Sequence, residues 1–414
     1  MKNHNPFSAS GTATFPTHRF LFTPVDDPDT ILQTMIVKHY PNNLYFYDPY
    51  YVEDDPIATE QNLQGNLTKA ERELYDSWKK TKLYSEFYLN ATGRSYLANY
   101  LRPPPQHYMW RGDYFGQTHS IITQETHFVT EPPKDKLQPI TIKGKKRRFT
   151  KDAPRILAEY RDSEPLNLTL RVISVVPRTF QIDNFLSPIE VDHITELASG
   201  IKLSLSGTGE SDPGEKSVKA EETVSNVKKT RTSYNSWVKR ERSPIIDAIY
   251  RRAADVLRID EALLRQRQKG EIPERDDHLS TLAEDLQLVN YKETQEYTSH
   301  HDFGYSRIGK DNQGARFATL LLYLNEGMVG GETSFPRYVN AESFRELKVI
   351  PKAGKAILFY SQLPDGNMDD FSQHAAQPVI DGEKVREKSP FLLFKLGNTP
   401  SQILGLYCLK ISSF

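Results

Sequence analysis

Three side chains in the C-terminal half of this 414-residue chain have the chemistry of a metal site: His300, Asp302 and His374. His300 and Asp302 form His-x-Asp close to an apolar run, Leu286–Tyr291. In an extended segment residues i and i+2 point to the same face, so an imidazole and a carboxylate there can reach one ion. His-x-Asp alone is a weak signal, because most of the eleven histidines need only be surface or core residues. His374, 72 residues after Asp302 and beside another apolar run, would complete two imidazoles and one carboxylate. That set leaves three neighbouring positions open on iron, the arrangement of non-haem iron oxygenases. Lys384 follows His374 by ten residues, beyond the run around Val379. A dicarboxylate co-substrate that chelates iron through a keto acid end needs a cation for its far carboxylate, and Lys384 could supply it. An exposed surface lysine is the alternative.

The elements that must position these groups are short. Ser187-Pro188-Ile189-Glu190 predicts a helix start, with Ser as cap, Pro in the first turn and Glu at the capping-box spacing. This helix should run to about Ala198 and stop at Gly200. Ser243-Pro244 predicts a second helix with Ile246, Ile249, Ala253, Val256 and Leu257 on one face. Leu168 to Val176 reads as a strand, residues 203–228 as a mobile polar loop, and 265–285 as a charged insertion with little core. Apolar runs follow at Leu286–Tyr291, Phe317–Leu324, Leu347–Ile350, Ala356–Tyr360, Pro378–Ile380 and Phe391–Leu396, separated by Gly, Pro, Asp or Asn. Many short strands after two helices predict an α+β unit: a β-sandwich or jelly roll with helices packed on one face. Toward the N-terminus, Thr68 and Glu71 have capping-box spacing for a helix over 68–89. The basic run KGKKRRFTK at 143–151 reads as a solvated linker, which puts a domain boundary between about 140 and 170.

Composition limits the alternatives. The net charge of −1 provides no general attraction for nucleic acid. The single cysteine, Cys408, excludes an internal disulfide framework and a cysteine-based zinc site. No run of about 18 apolar residues predicts a membrane span, and residues 1–20 do not resemble a signal peptide. No glycine-rich stretch links a strand to a helix as a phosphate loop would.

Five ordered segments carry a family resemblance. YKETQEYTSHHDF at 291–303 resembles the prolyl 4-hydroxylase pattern Y-x-x-G-Q-x-Y-x-x-H-x-D-[YF]. Arg316 to Leu324 is similar to its R-x-x-T-x-L-x-Y-L strand, and Gly330 to Pro336 to its G-G-E-T-x-F-P turn. Pro364-Asp365-Gly366 with Ser372 to Val379 is similar to its P-D-G and S-x-H-A-x-x-P-V elements, and Gly382-Glu383-Lys384 to G-x-K. The resemblance spans about 170–388. It departs at Thr294, which stands for the motif glycine, a mild change in a turn, and at Val385, which stands for a Trp. It ends near Ser389, so Pro390 to Phe414 lacks the family's closing Trp-containing strand and barrel closure is left open.

The resemblance implies an iron- and 2-oxoglutarate-dependent dioxygenase with a C-terminal double-stranded β-helix (jelly roll). His300, Asp302 and His374 would bind iron(II). Lys384 would bind the far carboxylate of 2-oxoglutarate, with Tyr291 along it. Tyr297 would lie near the open coordination positions. Arg316 would face a proline-containing peptide substrate, with pairing to a carboxylate as its alternative. The implied reaction is hydroxylation of peptidyl proline at C4, with succinate and carbon dioxide as co-products and L-ascorbate as helper. A same-fold oxygenase for lysyl or small-molecule substrates, or a non-catalytic binder, are the rival readings. Relatives of this type work in the endoplasmic reticulum and secretory pathway. His301 should face away from the ligands as a structural residue, and Gly330-Gly331 should be a hairpin turn. The division expected is 1–165 as an N-terminal region, 166–398 as the oxygenase and 399–414 as an atypical tail. Tyr40, Tyr45, Tyr47, Tyr50 and Tyr51 would either grip a Pro-rich chain or simply pack.

Overall fold

The structure, a computed structural model, describes residues 15–39, 44–98, 101–102, 104–133, 141–142, 145–146, 157–201, 204–205, 232–271, 281–303, 316–340, 345–381 and 389–396. Its C-terminal part is sheet-rich with packed helices. Nine antiparallel strands lie in the order Thr118–Ile122, Asn167–Ser174, Thr179–Ile182, Ala356–Tyr360, Ala318–Tyr323, Ser389–Leu396, Leu286–Tyr291, Tyr234–Val238 and Ser204–Leu205. A four-stranded sheet has the order Tyr297–His300, His374–Ala376, Thr333–Phe335 and Leu347–Val349.

The central strands read as continuous apolar runs because both of their faces are covered. Their side chains alternate between two cores. Leu286, Leu288, Ala318, Leu320, Leu322, Ala356 and Leu358 pack with Ile194, Ile245, Ile249 and Ala253 from two helices, Pro188–Ser199 and Pro244–Leu257. Val289, Tyr291, Leu321, Tyr323, Ile357 and Phe359 face the other way, onto Phe335, Val349 and Val379 of the smaller sheets. The period of two thus separates a helix-facing layer from an inter-sheet layer.

Both expected helices are present with their caps. Ser187 accepts from the Glu190 amide while Glu190 reaches back to the Ser187 amide, and Ser243 accepts from the Ile246 amide. Glu190 has a second role: with no exposure, it meets the equally buried Arg252 through two hydrogen bonds of 2.8 Å. Arg252 also donates to the Phe185 and Thr126 carbonyls, and Glu190 accepts from the Phe128 amide at 3.1 Å. Burial pushes the Glu190 carboxyl up, but the adjacent guanidinium outweighs it and holds the group below its ordinary value.

Two expectations about organisation are corrected, and the open question of the last strand is answered. The sheet does not begin after residue 140. Thr118–Ile122 is its edge strand, paired with 167–171, and Trp110, Ile121 and Phe128 lie in the helix-side core. No motif marks these residues, because they carry packing and no chemistry. The expected run Phe391–Leu396 lies in a central strand, Ser389–Leu396, which pairs with both Gln287–Tyr291 and Ala318–Tyr323, so the sheet is continuous there without the family's Trp. Backbone pairing needs an extended chain of suitable register, whatever the side chain. The charged stretch 265–285 is not all insertion, for Leu282 and Ala283 are buried in the same core and the Leu282 amide donates to the Leu263 carbonyl.

The N-terminal region contributes helices Pro56–Asn66 and Lys69–Thr92, the second with the expected Thr68–Glu71 capping box. Its tyrosines mostly pack. Tyr45 accepts from the Lys38 amide, Tyr47 stacks on Phe22, and Tyr50 meets Tyr75 edge-on. Tyr51 is exposed, and Tyr40 and the basic run's residues 143–144 and 147–151 lie outside the described residues. No helix among the described residues is long and apolar enough to cross a membrane. Arg252→Met should cost about 3–5 kcal/mol in urea unfolding, because it strands the Glu190 charge in the core; a loss below 1 kcal/mol on the scale of a surface ion pair would contradict the burial.

Candidate metal centre

The four-stranded sheet sets the two imidazoles against each other. His300 and His374 are directly opposed in the antiparallel pair, with Tyr297 opposed to Ala376. Opposed residues in such a pair have Cβ atoms roughly 5 Å apart, so side chains on one face meet. The rings lie 4.3 Å apart between centroids. Each Nδ1 faces a carbonyl: that of Thr298 at 2.9 Å for His300 and that of Ser372 at 3.0 Å for His374. A carbonyl only accepts, so each Nδ1 carries a proton, and in the neutral ring Nε2 then keeps the lone pair that a metal needs. Both lone pairs turn to Asp302, with His300 Nε2 at 4.0 Å from Oδ1 and His374 Nε2 at 3.7 Å from Oδ2. Candidate ligand atoms of all three residues lie within 4.8 Å of one another. A pair of imidazoles locked in this tautomer around a carboxylate fits the donor set of a divalent cation such as iron.

Asp302 belongs to the loop after the strand, and the large sheet holds it in place. It is 2% exposed. Thr319 donates its hydroxyl to Oδ2 at 2.6 Å. Thr319 shares the inter-sheet face of its strand with Leu321 and Tyr323, where it is the polar exception. Arg316 donates from one terminal nitrogen to the Asp302 carbonyl at 3.0 Å and carboxylate at 3.3 Å, and its Nε lies 3.5 Å from Glu284. These contacts pair the guanidinium with two carboxylates, and a role of Arg316 toward a peptide substrate stays a proposal.

The remaining candidates divide. Tyr297 stacks on His300 at 3.5 Å between centroids and 18° between planes, so its ring walls one side of the centre. Tyr291 is buried in the inter-sheet core with Tyr323 and Phe359, and Phe359 packs on His374 at 4.7 Å. Lys384 lies outside the described residues. His301 faces away from the ligands, with Nε2 3.0 Å from the Asp370 carbonyl. Val329–Gly330 pairs with Val379–Asp381, just after His374, and a Cβ at Gly330 would meet the Pro378 carbonyl at 2.2 Å. That approach, at φ 83°, is why glycine stands there.

Sequence reasoning assigned no role to Thr319, Glu284 or the carbonyls of Thr298 and Ser372. Thr319 had a signal, being a polar residue at an inward position of an apolar strand. Carbonyl partners have none, since every residue carries one.

The segment 286–388 matches the 2OG-Fe(II) oxygenase superfamily. The chain is 30% identical to Prolyl 4-hydroxylase 2 of Arabidopsis thaliana over 236 residues, covering 52% of this chain and 67% of that protein. It is 30% identical to Prolyl 4-hydroxylase 1 of the same plant over 254 residues, covering 59% and 79%. A solved structure, the viral collagen prolyl hydroxylase of Paramecium Bursaria Chlorella virus-1, is 23% identical with a TM-score of 0.35 and covers 52% of this chain and 94% of that one. The chain is a 2OG-Fe(II) oxygenase. Within that superfamily it belongs to the prolyl 4-hydroxylase family.

Two features of the surrounding turns make testable demands. Thr294, expected to be a mild replacement for the motif glycine, holds φ 66° while its amide donates to the Val379 carbonyl. A left-handed β-branched residue costs roughly 1–2 kcal/mol, and glycine's extra chain entropy offsets part of it. Thr294→Gly should therefore raise stability by about 0.5–1 kcal/mol in urea melts, and a loss would contradict the strain. Asp369 caps the Phe371 amide, and burial pushes its carboxyl up to about 6. A raised carboxylate disfavours the folded state once it must ionise, so the penalty is absent below about pH 4 and complete above pH 6. Asp369→Asn, which keeps the cap acceptor, should stabilise by roughly 1–3 kcal/mol at pH 7.5. The difference from wild type should vanish near pH 4 in paired thermal melts.

Proposed function

We propose that this chain hydroxylates peptidyl proline to 4-hydroxyproline, consuming 2-oxoglutarate and dioxygen and releasing succinate and carbon dioxide. The observation that carries the reading is the pair of tautomer-locked Nε2 lone pairs converging on the Asp302 carboxylate, in a chain of the prolyl 4-hydroxylase family. His300, Asp302 and His374 would hold iron(II) on one side and leave the other free for co-substrate and oxygen. When bound, iron supplies activation of dioxygen coupled to decarboxylation of 2-oxoglutarate.

The chain's own residues orient and exclude. The carbonyls of Thr298 and Ser372 stop the two rings from turning, and Thr319 with Arg316 fixes the carboxylate. Tyr297 and Phe359 flank the two imidazoles and keep water from one side. Lys384 is proposed to take the far carboxylate of 2-oxoglutarate, with Tyr291 beside it. The two-sheet arrangement supports a double-stranded β-helix around the centre. Use of ascorbate and passage through the secretory pathway are part of the same proposal. The relatives' names support a proline acceptor, which comes here as a proposal because this chain matches them at about 30% identity.

Anaerobic addition of iron(II) and then 2-oxoglutarate should produce a weak visible charge-transfer band. Oxygen and a proline-rich peptide should then yield succinate and 4-hydroxyproline. Loss of a partner behind a ligand typically costs about 10–100-fold, so His374→Ala, which removes a ligand itself, should lose more. Succinate with lysyl peptides alone would move the substrate assignment, and no succinate with any peptide would leave a binding module.

A further inference from the structure

The two segments that carry the proposed ligands are weakly joined by backbone. Their strands share two register pairs, Tyr297 with Ala376 and His300 with His374, and the register shifts between them. The chain then leaves the strand on both sides, so nothing in the ladder itself fixes the distance from Asp302 to His374. Past the last pair, a side-chain link among the described residues crosses the gap. His301, between the ligands His300 and Asp302, sends Nε2 to the Asp370 carbonyl at 3.0 Å, and Asp370 Oδ1 lies 3.4 Å from the same atom. Asp370 opens the turn Asp370–Ser372, and Ser372 supplies the carbonyl that holds His374 Nδ1.

The link is braced from two further directions. Arg337 follows the strand Thr333–Phe335, which flanks His374–Ala376 in the sheet, and it donates to Asp370 Oδ1. The His301 ring packs on Phe303 at 4.5 Å, and Phe303 shares a buried cluster with Met368 and Leu97. Leu97 belongs to the N-terminal region: its amide donates to Asn367 Oδ1 at 2.8 Å, and Asn367 Nδ2 donates to the Ser95 carbonyl at 3.0 Å. The converging donor group is His300, Asp302 and His374, and neither His301 nor Asp370 belongs to it.

We propose that His301 and Asp370 are positioning residues: their bond spans the two ligand-bearing segments and holds the His-x-Asp pair at the spacing from His374 that a metal requires. The inference rests on the metal reading above. Its physical basis is preorganisation: three ligands on two segments bind an ion tightly only if the segments need not be brought together on binding. It also gives residues 95–97 a place in the site, as the packing behind the link.

Cobalt(II) is the probe, titrated into the full chain by calorimetry and by its visible absorption. Outer partners of metal ligands are worth about 10–100-fold in affinity, so His301→Ala should weaken cobalt(II) about 10-fold and alter the absorption envelope. His301→Gln retains an N–H donor near the same place and should recover most of the affinity. Wild-type affinity and spectrum in a folded His301→Ala variant overturn the proposal, even if its melting temperature falls. Equal losses in the Ala and Gln variants overturn it as well. Should His301→Ala fail to fold, Arg337→Gln carries the test, since the Arg337 side chain is 39% exposed. It should weaken cobalt(II) several-fold, and unchanged binding overturns the link. No cobalt(II) binding by the wild-type chain overturns the metal reading itself, and the link with it.

Discussion

The structure of this site depends on one cross-strand pair. His300 and His374 stand opposite each other in an antiparallel ladder, which delivers two imidazoles to one place from segments far apart in sequence. Everything else refines that meeting. The carbonyls of Thr298 and Ser372 choose the tautomer, and Asp302 comes to the pair from a loop and is held by Thr319 of the facing sheet. The centre therefore spans two sheets. Its geometry is only as firm as the inter-sheet core of Val289, Leu321, Tyr323, Phe335 and Phe359 behind it.

That dependence explains the depth of the fold around so small a site. Two helices cover the outer face of the large sheet, and the buried Glu190–Arg252 pair joins them and fastens the chain near Phe128 to both. The N-terminal region is bound in as well. Tyr88 donates to Asp365 at 2.7 Å, and Trp110 donates through its indole to the Val256 carbonyl at 2.7 Å. Both contacts fall on elements that lead to the site or support its sheet. Residues outside the matched family segment are thus part of the same packing.

The chemistry was legible in the sequence because it is written in residue types. His300, Asp302 and His374 could be named as candidates from type and spacing, with the surrounding family motifs carrying the assignment, and the caps at Ser187 and Ser243 predicted both helices. What was hidden depends on three-dimensional neighbours. Arg316 was readable as a cation, yet only the fold shows that Asp302 and Glu284 claim it. Thr118–Ile122 carries no motif, and backbone pairing alone places it in the sheet; Phe391–Leu396 was readable as a strand, but not its place between Leu286–Tyr291 and Ala318–Tyr323. Thr294 looked like a harmless change until its φ showed that a glycine conformation is kept without glycine.

The most direct test of this account is to locate the ion. Crystals of the full chain grown with manganese(II) under anaerobic conditions would give an anomalous peak in diffraction. A single strong peak shared by His300 Nε2, His374 Nε2 and the Asp302 carboxylate, with both Nδ1 atoms still on their carbonyls, is the predicted result. A peak elsewhere, or a fully loaded ion that leaves either imidazole uncoordinated, would contradict it.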